Sequence, residues 1–149
     1  MLPELESILR YRNPLVIRKF REDHRVDEAR ANRLFTELMK FLWASQKHSL
    51  EKATRPADPS LDFSFGLHEE MRALDEMWHC FILCTEDYSE FCQGNFGRYL
   101  HHRPSVWGAR LTEEEFRVEL ERYLAYLLEL FGAETVGGWF GVGGTAPGR

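Results

Sequence analysis

The stretch Leu111–Gly132, LTEEEFRVELERYLAYLLELFG, decides the reading of the fold. Thr112 and Glu115 stand at the spacing of a capping box, and Leu111 with Phe116 supplies the apolar pair that staples a helix entry. Behind that start, Leu120, Tyr123, Leu124, Leu127 and Phe131 recur at steps of three and four, so they share one face. Gly132 is placed to end the helix.

The same periodicity governs the chain on the N-terminal side. A helix beginning at Asp27 carries Ala31, Leu34, Phe35, Leu38, Phe41, Leu42 and Ser45 on one stripe. Asn13 is a cap and Pro14 a first helical residue for a shorter one. Pro3 opens a turn whose apolar side is Leu5, Ile8 and Leu9. Residues 67–84 read as a further helix. Thr85-Glu86-Asp87 then provides the cap and acidic first turn of the next, which turns Tyr88, Phe91, Cys92 and Phe96 inward. Between these, residues 47–59 read as a loop because Pro56, Asp58 and Pro59 break the pattern. Residues 61–65 alternate like a strand but are short and partnerless, which makes an extended connector.

From Gly137 to Gly148 six of twelve residues are glycine, with Trp139 and Phe140 inserted. Ordering such a segment costs much backbone entropy. A loose terminus is expected, or else a flap held down by Trp139. The sequence therefore predicts an all-α, single-domain bundle of five or six helices over residues 1–133, with a Gly-rich tail over 134–149.

At 149 residues the chain is long enough to bury about two thirds of the surface its unfolded form exposes. Its net charge of −5 disfavours a general nucleic-acid binder. No run is long and apolar enough to span a membrane, and the first residues lack a secretion leader. Three cysteines do not make a disulfide framework, so the expected setting is cytoplasmic.

The chemistry concentrates in Leu74–Cys84, Tyr88–Cys92 and His101-His102, which hold all three cysteines and three of the six histidines. On a helix, Asp75 and His79 share a face, so the carboxylate is expected to orient the imidazole as a second shell would. Trp78 packs inward and stiffens the backbone that presents His79. Cys92 follows one turn after Tyr88, and His102 precedes Arg103-Pro104 in a stiff, extended loop. His79, Cys92 and His102 are acceptable ligands for zinc or iron, with Asp75 or water completing four-coordination and His101 as the substitute if the loop turns the other way. If the protein is an enzyme, a metal-bound water is the natural reagent. The same residues also fit a plain core, since cysteine is often buried without binding anything. A nucleophilic dyad of Cys92 with His79 or His102 is a third reading, though no oxyanion turn follows Cys92. Arg10, Arg12, Arg18, Lys19, Arg21 and Arg25 form a basic N-terminal stretch, which suits a non-catalytic interaction module with an unknown protein partner.

The stretch resembles the glycine-rich domain-containing protein-like family. The resemblance rests on Asp75, Trp78-His79 and Tyr88-Ser89-Glu90-Phe91-Cys92, extended by Phe96–Pro104 in the form of short bacterial members, and covers about residues 70–104. It implies a built site that includes Trp78, His79, Tyr88 and Cys92, with Asp75 beside them. Larger plant members are associated with stress and developmental responses, and some carry an RNA-binding module that has no counterpart here. The resemblance supplies no substrate.

Overall fold

The structure, a computed structural model, describes residues 1–103 and 111–141. Among them the chain forms six α-helices, two 3-10 turns and no strand, an all-α fold. The helices are α1 (Leu5–Leu9), α2 (Pro14–His24), α3 (Glu28–Thr54), α4 (Arg72–Leu83), α5 (Thr85–Phe96) and α6 (Glu113–Phe140). The 3-10 turns are Pro59–Leu61 and Glu69–Met71. No described helix is long and apolar enough to cross a membrane. The chain divides into two compact units, one from residues 1–46 and 72–102, the other from residues 47–71 and the described part of 103–147.

In the first unit, local signals set the helix starts. Asn13 is extended and its Oδ1 accepts the Val16 N–H at 3.2 Å, while Pro14 takes the first helical position. Asn13 is itself buried, and its Nδ2 donates to Tyr11 Oη at 3.0 Å and to Asp87 Oδ2 at 2.9 Å. Arg25, at φ 55°, ends α2 in the left-handed region. Asp27 Oδ1 accepts the Arg30 N–H at 2.8 Å and so caps α3. Ala31, Phe35, Leu38, Phe41 and Leu42 are buried as the stripe predicts, together with Met39 and Ala44. α4 packs against α2 and α5. Phe81 has no exposed surface and meets Tyr88 at 4.9 Å, Phe91 at 5.3 Å, Phe35 at 5.4 Å and Tyr11 at 6.1 Å between ring centroids. Aromatic contacts of this kind add to the area they bury.

Three boundaries differ from the expected ones. α3 does not stop at residue 46 but continues to Thr54, because His48 extends the buried row one step beyond Ser45 and the Lys47–Glu51 ion pair supports the next turn. The helix ends before Pro56, the first residue that cannot continue it. α4 begins at Arg72 rather than 67, after the 3-10 turn Glu69–Met71. Cys84, not Thr85, holds the cap position of α5, and it makes no side-chain cap bond.

In the second unit, both capping-box bonds of α6 are present: Glu115 N donates to Thr112 Oγ1 at 3.0 Å, and Thr112 N to Glu115 Oε1 at 2.9 Å. α6 packs on both 3-10 turns. The connector between them is held along its length. Ser64 N donates to Glu119 Oε1 at 2.6 Å, and Tyr123 Oη donates to the Gly66 carbonyl at 2.6 Å. His48, from the last turns of α3, stacks on Phe63 at 4.1 Å and contacts the Leu61 carbonyl through Nε2 at 2.9 Å.

Gly132 ends the first helical stretch of α6, as its position predicts. It leaves helical geometry at φ 86°, ψ 169°, and the chain then resumes helix to Phe140. Residues 134–140 are helical. Trp139 is 5% exposed and lies 5.5 Å from the Phe131 ring. Burying an indole offsets the ordering cost that predicted looseness there. The remainder of the expected tail, residues 142–149, lies outside the described residues.

Candidate functional site

The first unit gathers Asp75, Trp78 and His79 of α4, Tyr88 and Cys92 of α5, and the segment that leaves α5 at Gly97. Gly97 takes φ 71° and turns the chain out of the helix. Leu100 is then buried, and its carbonyl accepts the Tyr88 hydroxyl at 2.5 Å. The same Tyr88 oxygen accepts the Trp78 indole N–H at 2.9 Å. Tyr88 has no exposed surface, and its burial pushes the hydroxyl pKa upward, so it acts as a neutral donor and acceptor.

Two residues beyond Leu100 the chain delivers His102. Its ring stacks on Trp78 with centroids 4.3 Å apart and planes 15° apart. His102 Nε2 lies 2.5 Å from Asp75 Oδ1. The imidazole is largely covered, at 19% side-chain exposure, while the carboxylate is 46% exposed. The His79 ring is solvent-exposed, with its centroid 5.7 Å from that of His102.

This geometry corrects the expected pairing. Asp75 orients His102, not His79, although His79 lies one turn along on the same helix. The segment after Gly97 brings the second imidazole onto the carboxylate, and His79 points into solvent. Trp78 packs inward as expected, edge-on to Phe41 at 5.7 Å, and offers its other surroundings to His102. His101 is exposed and its ring lies 4.9 Å from Tyr99, so His102 is the histidine that joins the cluster.

Cys92 does not join it. Its side chain has no exposed surface, and burial pushes the thiol pKa up, against the lowering effect of the Leu100 backbone and the Tyr88 hydroxyl. It is hydrogen-bonded to neither imidazole. Among the described residues no group of three or more His, Cys, Asp or Glu is arranged to hold a metal ion, so the expected ligand set of His79, Cys92 and His102 is not assembled. A buried, protonated thiol is equally unsuited to the dyad chemistry considered above. Cys80 is similar: its thiol donates to the Val16 carbonyl at 3.7 Å, and burial pushes its pKa up to about 11. All three cysteines are free.

The basic N-terminal stretch is largely solvated. Arg10, Arg12, Arg18, Arg21 and Arg25 are exposed. Lys19 pairs with Asp23 at 3.3 Å and Arg21 with Glu28 at 3.7 Å. Exposed pairs of this kind contribute little.

Sequence reasoning missed Leu100, which contributes a backbone carbonyl that no side-chain pattern reports. It also missed the buried histidines of the second unit. His48 had a signal, since it continues the three-four row of α3; His68 had none.

Compared with known protein families, residues 67–120 match the family described as UCP032817-like, to which no activity is assigned. The matched stretch contains every residue of the cluster just described. No curated protein and no solved structure matches the chain.

Proposed function

We propose that the protein binds a divalent transition-metal ion of the zinc class through the imidazoles of His79 and His102, with Asp75 holding His102 in register. The observation that carries this reading is the pair of imidazoles 5.7 Å apart, one of them bonded at 2.5 Å to a carboxylate. With metal–nitrogen bonds of about 2 Å, two imidazoles on one tetrahedral ion place their ring centres about 5 Å apart. A modest rotation of the exposed His79 closes the difference. The Asp75 bond occupies Nε2 of His102 and leaves Nδ1 to face a ligand, the arrangement by which carboxylates orient metal-bound histidines. Two protein ligands leave the remaining coordination positions to water or to a further ligand, so this is an open site rather than a closed structural one. An ion held this way lowers the pKa of its bound water, which is the chemistry it would supply.

Calorimetric titration with zinc, repeated with cobalt(II) followed by its visible absorption, tests it. One ion per chain is expected. His102→Ala and His79→Ala are each expected to weaken binding by about 10–100-fold, and Cys92→Ser to leave it unchanged. A wild-type protein that takes up neither ion, or binding indifferent to both histidine substitutions, overturns the reading and leaves an interaction module in its place.

A further inference from the structure

One oxygen atom in the first unit has two partners whose positions together define the site. Tyr88 Oη accepts the indole N–H of Trp78 at 2.9 Å and donates to the carbonyl of Leu100 at 2.5 Å. Trp78 is the surface on which His102 stacks, and Leu100 is two residues before His102 in the chain. We infer that Tyr88 is the positioning residue of the site: its hydroxyl ties the indole and the segment carrying His102 to a common point, and so sets the His102–Asp75 geometry on which ligand binding depends. The inference of an effect on ligand affinity rests on the metal-binding reading above; the inference about His102 geometry does not.

The physical case is one of over-determination. The segment leaves α5 at Gly97 through a left-handed residue, which fixes its direction but not where it lands. Leu100 gives it one buried anchor, a side chain 5% exposed. A single apolar side chain is non-directional and permits the backbone to rotate about it. The Tyr88–Leu100 hydrogen bond removes that freedom, because it requires the carbonyl to point at one atom inside the unit. In a fully buried setting the alternative, a carbonyl and an indole N–H both without a partner, is costly. The segment is thereby aimed, and the next side chain but one arrives flat on the indole, 15° from parallel, with Nε2 at the carboxylate. Cys92, one turn after Tyr88 on α5, hydrogen-bonds to the same hydroxyl and to the Leu100 backbone, so its buried thiol is a further polar member of this anchor.

The test is Tyr88→Phe, which removes one oxygen and keeps the ring that packs on Phe81. Ile8→Val, a substitution at a buried position of α1 in the same unit, is the control for a general loss of stability. Two readouts are taken on folded, full-length protein. The first is the proton NMR spectrum of the His102 ring, which in the wild type is expected to be shifted upfield by the Trp78 ring 4.3 Å away and to show cross-relaxation to the indole. In Tyr88→Phe those contacts are expected to be lost while the helical signal is retained; in Ile8→Val they are expected to persist. The second is zinc affinity, expected to fall by about 10–100-fold in Tyr88→Phe and to be unchanged in Ile8→Val. His102 contacts that survive intact in Tyr88→Phe overturn the inference. Equal loss in both variants overturns it too, since the hydroxyl would then act only through stability. A wild type that binds no zinc overturns the metal reading alone, and the first readout still decides the role of Tyr88.

Discussion

Asp75 and His102, 27 residues apart, meet at 2.5 Å, whereas Asp75 and His79, one helical turn apart, are not hydrogen-bonded. The nearer histidine looks outward and the distant one is delivered to the carboxylate by the turn at Gly97 and the anchor at Leu100. The pair makes His102 the defined imidazole of the site and His79 the adaptable one.

Asp75→Asn keeps a hydrogen-bonding group near His102 but replaces the carboxylate that holds the ring in register. Zinc affinity is expected to drop by about 10–100-fold, while stability changes by less than about 1 kcal/mol because the carboxylate is nearly half exposed. Paired calorimetric titrations and urea melts check this. A large stability loss with intact affinity would show that the bond is structural only.

Phe81→Ala removes a ring without exposed surface from the centre of four aromatic neighbours. Truncations of this kind cost about 3–5 kcal/mol, a large part of the stability of an ordinary domain. The expected result is a first unit that is unfolded or strongly shifted in a denaturant titration. A change below about 1 kcal/mol would mean the aromatic cluster is not the core of that unit.

Acid is expected to destabilise the second unit. Burial lowers the pKa of His48, only partly opposed by its bond to Leu61, and burial likewise lowers that of His68. Lys52 acts with burial at His48, while Glu51 opposes it; at His68 Glu70 and Glu119 oppose it. Both folded values lie below the free value near 6.5, so the unfolded chain takes up protons first as pH falls. The stability these groups favour is complete above about pH 6.5 and declines below it, by up to about 1.4 kcal/mol per pH unit for each histidine. Urea midpoints followed by tryptophan fluorescence between about pH 7.5 and pH 5 measure the slope. His48→Gln is expected to flatten it, and a midpoint that holds or rises on acidification contradicts the account.

Thr112→Ala removes the hydroxyl that accepts the Glu115 N–H in the capping box of α6, and keeps the Thr112 N–H that donates to Glu115. The expected cost is about 1 kcal/mol, read as a lower urea midpoint with an unchanged slope. Thr112→Ser retains the accepting oxygen and is expected to restore most of it.

What the sequence made legible follows from where each element's cause lies. The starts of α2, α3 and α6 were legible because their causes are local side chains: Asn13 with Pro14, Asp27, and Thr112 with Glu115 all cap as their identities require. The end of α3 was not, since it depends on His48 finding Phe63 and Leu61 in a connector 13 to 15 residues further on. The side-chain cluster proposed as a site was half legible. Asp75, Trp78, His79 and His102 could be named from residue type and spacing, but their pairing depends on a backbone path fixed at Gly97 and on the Leu100 carbonyl. Periodicity carries no information about either. Cys92 was misread for a related reason: facing inward is common to a ligand and to packing, and only its neighbours distinguish the two.

Gly132 sets how α6 closes. On an unbroken helix, residues eight apart stand about 12 Å apart along the axis, yet the rings of Phe131 and Trp139 are 5.5 Å apart. The single residue at φ 86° doubles the chain back, so the final turns clasp the helix they came from. A β-carbon at this position would meet open space, with nothing within 4 Å. The demand for glycine is therefore torsional rather than spatial, and one backbone angle makes the difference between a clasp and a loose end.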